Sequence, residues 1–276
     1  KEGEVYATCD PTYVDQLFGG WMKAAKGGKE RTLKRRSPLS ISTMRGLHPL
    51  LAGIDTDSAS FDRSDRPNNK VIVRGPDGEQ LSEDEIVTFL EGKDRSLSRK
   101  WIPDQRRVNG FFVMDIAIDL RRLFCVSTNS FEPEMSDETI EKLKEEGWIE
   151  SKNVFGDCLV APKALREEWI NGLANAIINW RITSNQSRTF SLMDTLAMSI
   201  SDNANLIAGS IRAKLSEEDS KKANPIIEEN MDGVKTFISL QAAGYIPTTT
   251  ETVDALEKAE KELVDRMHAF DYENQI

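Results

Sequence analysis

Histidine and cysteine are scarce in this chain, and their scarcity excludes several kinds of site. Its 276 residues include 2 histidines and 3 cysteines. The cysteines, Cys9, Cys125 and Cys158, are widely spaced and form no CxxC pair, so neither a zinc cluster nor a disulfide framework is indicated. Their apolar flanks predict three small core residues instead. A Cys/His or Ser/His/Asp catalytic group is disfavoured too, and we expect no metal and no cofactor.

Long apolar runs are also absent. No stretch approaches the roughly 18 apolar residues that a membrane span needs, and residues 1–10 lack the apolar run of a signal peptide. We therefore expect a soluble, cytoplasmic protein with no membrane partner. With 39% hydrophobic and 30% charged residues, the chain is long enough for one sizeable core carrying a large insertion.

Positive charge is concentrated in one strip of an otherwise acidic chain. The formal net charge is −10, which by itself argues against a nucleic-acid partner. Between Trp21 and His48, however, the only acid is Glu30, and the bases are Lys23, Lys26, Lys29, Arg31, Lys34, Arg35, Arg36 and Arg45. Such a strip indicates either an anion-binding surface or a solvated basic loop.

The order of predicted elements favours an α+β fold. We predict helices at residues 42–52, 82–90, 137–146, 163–180, 233–243 and 250–270, and strands at residues 4–8, 111–118, 123–126, 158–160 and 190–200. Ser42 is expected to cap the first of these helices. This order suits a ferredoxin-like or RRM-type domain, in which two helices cover one face of a four-stranded antiparallel sheet.

One region reads as an insertion in that domain. Residues 53–69 are rich in Asp, Ser, Arg and Asn, and a second basic run spans residues 95–107. Acids at Asp55, Asp57, Asp62 and Asp65 could in principle hold a cation, but a solvated loop explains them more simply. We therefore predict a main domain of residues 1–52 and 109–276, with helical additions, and an insertion at residues 53–108.

Two polar clusters have the composition of phosphate-binding segments. The first consists of Lys34, Arg35, Arg36, Ser42 and Arg45, and the second of Arg181, Asn185, Gln186 and Arg188. Adjacent charges, hydroxyls, amides and a helix start are known ligands of phosphate oxygens. They grip a nucleic-acid backbone without reading its sequence. A long polar turn is the alternative interpretation of the second cluster.

Three ordered blocks of the sequence resemble a known family. They are KRR at residues 34–36 with ISTMR at 41–45, NGFFVMDIAIDL at 109–120, and LANAII at 173–178 with SRTF at 187–190. Together they resemble the backbone subunit of Cascade, the seventh family of CRISPR-associated (Cas) proteins, with its CasC-like and DevR-like branches. The resemblance covers about residues 34–201. In that family the basic block stands between the first strand and the first helix.

The resemblance implies a fold and a function. The fold would be an RRM-like palm with an inserted thumb at residues 53–108, for which we single out Phe61, Arg95, Lys100 and Trp101. The function would be non-catalytic binding of CRISPR RNA in an antiviral interference complex. Copies of the chain would polymerise head-to-tail along the guide, beside other Cascade subunits, and would present the guide for pairing with target DNA.

Two alternative functions remain open at this stage. In the backbone subunit of the RNA-cleaving (type III-like) effectors, an acid in the loop before the first helix is required, and residues 23–37 offer only Glu30. The other alternative is a stand-alone RRM-type RNA-binding protein, whose sheet should carry stacking aromatics at alternate positions. Phe111 and Phe112 are adjacent, so only one of them could face such a surface.

Overall fold

The fold is taken from a computed structural model, which describes residues 8–23, 31–47, 77–79, 81–82, 85, 88, 110–179, 193–219 and 222–276. Contacts divide the chain into two compact units, Lys1–Tyr6 with Ile54–Val108, and Ala7–Gly53 with Asn109–Ile276. Nearly all described residues belong to the second and larger unit. The insertion at 53–108 and its thumb function stay predictions, because most of that region lies outside the described residues.

Helices and short strands are interspersed along the described part of the larger unit. The α-helices are α1 (Val14–Gly19), α2 (Leu120–Leu123), α3 (Asp137–Glu145), α4 (Lys163–Ile178), α5 (Ala204–Ile207) and α6 (Ala255–Ala269), with a 3-10 helix at Leu240–Gly244. The longest, α4, has 16 residues. Within the described ranges, no helix has the length and apolar character needed to cross a membrane.

The strands pair as small antiparallel sheets. They are β1 (Trp21–Lys23), β2 (Leu33–Arg35), β3 (Leu39–Ile41), β4 (Arg45–Gly46), β5 (Phe112–Val113), β6 (Ile116–Ile118), β7 (Cys125–Ser127), β8 (Ile149–Asn153), β9 (Gly156–Val160), β10 (Ala197–Ile200), β11 (Ile211–Leu215), β12 (Ala223–Ile227) and β13 (Lys235–Ile238). The order β7-β9-β8 forms a three-stranded sheet, and the two-stranded pairs are β1-β2, β3-β6, β4-β5, β10-β13 and β11-β12. The α+β class is confirmed. A four-stranded sheet is not among the pairings of the described residues.

The main core lies around the three-stranded sheet. Val126, Leu159 and Val160 are fully buried on adjacent strands, as continuous apolar runs predict. Helix α4 contributes Ile170, Leu173 and Ala174 to the same core cluster, and α1 contributes Leu17 and Phe18. At its centre the ring of Phe124 meets those of Phe18 and Tyr272 edge-on, with centroids 5.8 and 5.0 Å apart. Burial of such rings is a large part of what stabilises a domain.

Three predicted helices are confirmed, and the helix predicted at residues 233–243 is wrong. Residues 137–146, 163–180 and 250–270 contain α3, α4 and α6 with shorter limits. Residues 233–243 instead form β13 and the 3-10 helix Leu240–Gly244. Strand β13 pairs with β10, where Ala197 faces Ile238 and Ile200 faces Lys235. Pairing with β10 supplies backbone hydrogen bonds to this segment, and Ile238 is buried. These tertiary contacts therefore outweigh the local helical pattern.

The helix predicted at residues 42–52 is also wrong over residues 42–47, and residues 48–52 lie outside the described ranges. From β3 to β4 the chain runs antiparallel to residues 111–118. The Ser42 N–H donates to the Asp115 carbonyl at 2.9 Å, and the Leu47 N–H donates to that of Phe111 at 2.8 Å. These bonds tie the backbone to a neighbouring strand, so Ser42 is not a helix cap. The first helix that the resemblance implies after the basic block is therefore not found there.

All three cysteines are buried, as predicted. The pKa of the Cys125 thiol is raised well above its usual range by a hydrogen bond with the Cys158 sulfur and by burial. Burial also raises the pKa of Cys9. Since the thiolate is the reactive form, the raised pKa values of Cys9 and Cys125 indicate core thiols of low reactivity.

A predicted helix cap in the inserted region is present. The backbone N–H and hydroxyl of Ser82 both donate to Oε2 of Glu85, at 2.8 and 2.7 Å. This is part of the capping-box arrangement that a Ser followed three residues later by Glu predicts. The hydrogen bonds lower the pKa of Glu85.

Replacing Gly20 with alanine is expected to destabilise the larger unit by about 1 to 3 kcal/mol or more. Gly20 ends α1 at φ 73° and ψ 178°, a conformation that only glycine adopts easily. A Cβ there would stand 2.5 Å from the Arg35 carbonyl oxygen and 2.8 Å from the Ser37 nitrogen. Gly19→Ala is the matched control, because nothing lies within 4 Å of its Cβ position. Urea unfolding of the two variants measures the difference, and equal midpoints would contradict the expectation.

Candidate nucleic-acid interface

The basic block at residues 34–36 lies on and just after strand β2, where side chains alternate between two faces. Lys34 and Arg36 are exposed, and Arg35 between them is buried. Among the described residues, neither Lys34 nor Arg36 forms an ion pair. The hairpin of β1 and β2 thus presents two cations to the outside, and the exposed Met22 stands opposite Lys34 in the pairing.

Arg35 is only 4% exposed, and its guanidinium is fully engaged inside the protein. Its Nη1 donates to Oε2 of Glu134 at 2.9 Å and to the Cys125 carbonyl at 2.8 Å. Its Nε donates to the Leu17 carbonyl at 3.1 Å, and its Nη2 donates to the Arg122 carbonyl at 2.8 Å. These acceptors belong to α1, β7 and α2. Arg35 therefore joins three elements to the hairpin, and its predicted role as a phosphate ligand is corrected to a structural one.

Burial and charge oppose each other at Arg35. Burial lowers the pKa of its guanidinium, and the neighbouring Glu134 carboxylate counteracts that effect. Glu134 is 6% exposed and receives a second hydrogen bond, from the Ser127 N–H at 2.9 Å. The indole N–H of Trp21 donates to the Glu134 carbonyl at 2.5 Å. A buried charge pair satisfied in this way fixes the position of the hairpin on the core.

The other half of the first predicted cluster is arranged differently from expectation. Arg45 lies on β4 and pairs with Asp115 at 2.8 Å, with both side chains more than half exposed. The Ser42 hydroxyl accepts a hydrogen bond from the Asp115 N–H and donates to the Thr43 carbonyl. Because an exposed ion pair contributes little, Arg45 could exchange Asp115 for a phosphate at small cost. Both hydrogen bonds of the Ser42 hydroxyl are therefore made to the backbone, and within the described residues no helix begins at Ser42.

Two exposed aromatic residues lie beside arginines, and sequence reasoning missed both. Phe131 is 81% exposed, with the guanidinium carbon of Arg31 5.9 Å from its ring centroid. Phe155 is 41% exposed and lies under Arg122 at 3.6 Å and Arg121 at 5.1 Å. Each Phe stands in a turn between predicted elements, where an isolated aromatic among polar residues was the available signal. Such pairs suit stacking with a base or another planar group.

The remaining predicted site residues lie outside the described part of the chain. They are the second cluster, Arg181, Asn185, Gln186 and Arg188, and the thumb residues Phe61, Arg95, Lys100 and Trp101. Glu30 lies outside it as well. Within the described residues, no group of His, Cys, Asp or Glu could hold a metal ion.

Comparison with known proteins identifies no relative. No protein-family model, no curated protein and no solved structure matches this chain.

Proposed function

We propose that this chain binds single-stranded RNA on the β1-β2 hairpin as a non-catalytic backbone subunit of a CRISPR interference complex of the Cascade type. One observation supports RNA binding most strongly. Lys34 and Arg36 project outward on either side of Arg35, and the Arg35–Glu134 pair anchors the strand between them in the core. Because the strand is already fixed, its backbone loses little further freedom when the two side chains meet an anion.

The chemistry of the hairpin favours a phosphate backbone over other anions. Lys34 and Arg36 are two residues apart on an extended chain, which places them roughly 6 to 7 Å apart along it. Successive phosphates of a single strand have a comparable spacing, so two contacts can form at once. Such contacts set position and not base identity. A subunit that must hold any guide sequence needs this tolerance.

The identity of the complex rests on the three sequence blocks. On that basis we propose an RRM-like palm, a thumb formed by the insertion, and head-to-tail polymerisation along CRISPR RNA in the cytoplasm. The guide would be presented for pairing with target DNA, and other Cascade subunits would complete the particle. The exposed Arg45 and the second cluster, Arg181 to Arg188, would support the same or an adjacent stretch of guide.

Salt dependence tests the proposed RNA binding. The logarithm of the association constant for a labelled single strand is expected to fall linearly with the logarithm of salt concentration, with a slope of about −0.7 per phosphate neutralised. Fluorescence anisotropy of strands with unrelated sequences should give similar constants. An affinity that does not change with salt, or absence of binding at low salt, would refute the proposal.

Incubation with magnesium separates the proposed function from its nearest rival. Particles assembled on guide RNA should leave a matched RNA or DNA target intact when no nuclease subunit is added. Particle length seen by electron microscopy should grow with RNA length, as polymerisation requires. Target cleavage that disappears in Glu30→Ala would instead support the RNA-cleaving type. Binding without elongated particles would support a stand-alone RNA-binding protein.

A further inference from the structure

Phe131 is the most exposed aromatic residue of the described chain. It is 81% exposed, against 69% for Tyr245, 54% for Tyr13 and 41% for Phe155. It stands in the loop between β7 and α3, which also brings the buried Glu134 to Arg35. Leaving so much apolar surface in water is unfavourable by itself. An exposed ring next to a functional surface therefore points to contact with a ligand.

The loop that carries Phe131 is held in place at both ends and within. The Thr128 N–H donates to the Asp157 carbonyl at 3.1 Å, and the Phe131 N–H donates to Oδ1 of Asn129 at 2.9 Å. After Phe131, the buried residues Glu134 and Met135 fix the chain to the core. The ring is thus presented by an ordered backbone, so binding would not first require the loop to be ordered.

The basic hairpin adjoins this loop directly. The Lys34 N–H donates to the Pro133 carbonyl at 3.1 Å, two residues from Phe131. From the other side, Nη1 of Arg31 donates to the Ser130 carbonyl at 2.5 Å, and its guanidinium carbon lies 5.9 Å from the ring. Phe131 and Arg31 therefore adjoin each other, and the loop that carries the ring contacts the hairpin at Lys34.

We propose that Phe131 is a stacking platform for an unpaired base of the same strand whose phosphates Lys34 and Arg36 hold. The inference rests on the proposed RNA binding and adds to it a contact with the base. A nucleotide fits this surface because it combines a flat base with a phosphate, and the surface combines an apolar ring with cations. A purely apolar protein segment would leave Arg31 and Lys34 without counter-charges. Stacking tolerates any base, in keeping with a strand of arbitrary sequence.

The test combines ring variants with a strand that lacks bases. Phe131→Ala is expected to weaken binding of single-stranded oligouridine by about 5- to 150-fold, equivalent to about 1 to 3 kcal/mol. Phe131→Trp should retain or improve affinity, and Phe131→Leu should lose nearly as much as alanine, because leucine is apolar but has no π-face. Thermal midpoints should not change, because the side chain is exposed.

An abasic ribose-phosphate strand of equal length supplies the control that is specific to stacking. Wild type should bind it more weakly than oligouridine, whereas Phe131→Ala should bind the two with nearly equal affinity. If Phe131→Ala weakens binding of both strands equally, the stacking assignment is overturned. If it changes the affinity for neither strand, the assignment is also overturned, and the exposed ring would point to a protein partner. If only the Lys34 and Arg36 variants weaken RNA binding, the proposed RNA binding is supported and the stacking inference fails. If no variant affects binding, both fail.

Discussion

Replacing Arg35 with alanine is expected to lower the free energy of unfolding by about 3 to 5 kcal/mol. The substitution leaves the Glu134 carboxylate, 8% exposed at its side chain, without its buried counter-charge. It also removes donors from the carbonyls of Leu17, Cys125 and Arg122. Breaking a buried pair on one side costs far more than replacing the whole pair, because a lone charge remains in a poor solvent.

Arg36 provides a matched control one residue away. Arg36→Ala removes the same side chain from an exposed position, so stability should change by about 0.5 kcal/mol or less. The combined variant Arg35→Met, Glu134→Leu should recover part of the loss, since no unpaired charge then remains. Urea unfolding followed by tryptophan fluorescence measures all three. Equal midpoints for the Arg35 and Arg36 variants would refute the structural role of Arg35.

Reversing the two exposed charges of the hairpin, with Lys34→Glu and Arg36→Glu, is expected to weaken RNA binding by about 100-fold or more. Each charge-assisted contact is typically worth about 1.5 to 3 kcal/mol, and tenfold in affinity corresponds to about 1.4 kcal/mol. Removing two phosphate contacts should also make the salt slope shallower by about 1.4. Anisotropy titrations at several salt concentrations give both quantities.

The control for charge reversal uses lysines elsewhere on the larger unit. Lys163 and Lys214 are 78% and 66% exposed at their side chains, so replacing both with glutamate changes the net charge equally. RNA affinity should then fall much less than in the hairpin variant. Similar losses in the two double variants would mean that only the overall charge matters. That outcome would remove the reason to place the interface on the hairpin.

Elements with a strong local signal were predicted well. Helices α3 and α4 have regular apolar spacing, and residues 111–118 and 158–160 are apolar runs that became β5, β6 and β9. The helix predictions for residues 42–47 and 233–238 were wrong, because each segment is extended and pairs with a strand distant in sequence. Short segments of mixed pattern take their structure from such partners.

The candidate site was predicted only in part. The density of positive charge directed attention to residues 34–36, but the chain alone gave no reason to separate Arg35 from its neighbours. Its partner Glu134 stands 99 residues away, so that pair exists only in the folded protein. The aromatic residue Phe131 was missed, because a single Phe in a polar loop has no periodicity.

The sequence by itself determined the α+β class, the main helices, the buried cysteines and the location of the basic strip. These properties follow from composition and from local repeats of apolar residues, which need no partner to be recognised. Only the tertiary structure decided which arginine turns inward, that residues 42–47 are extended, and that an exposed ring stands beside Lys34. Each of these depends on contacts between distant parts of the chain, and burial or hydrogen bonding there outweighs local preference.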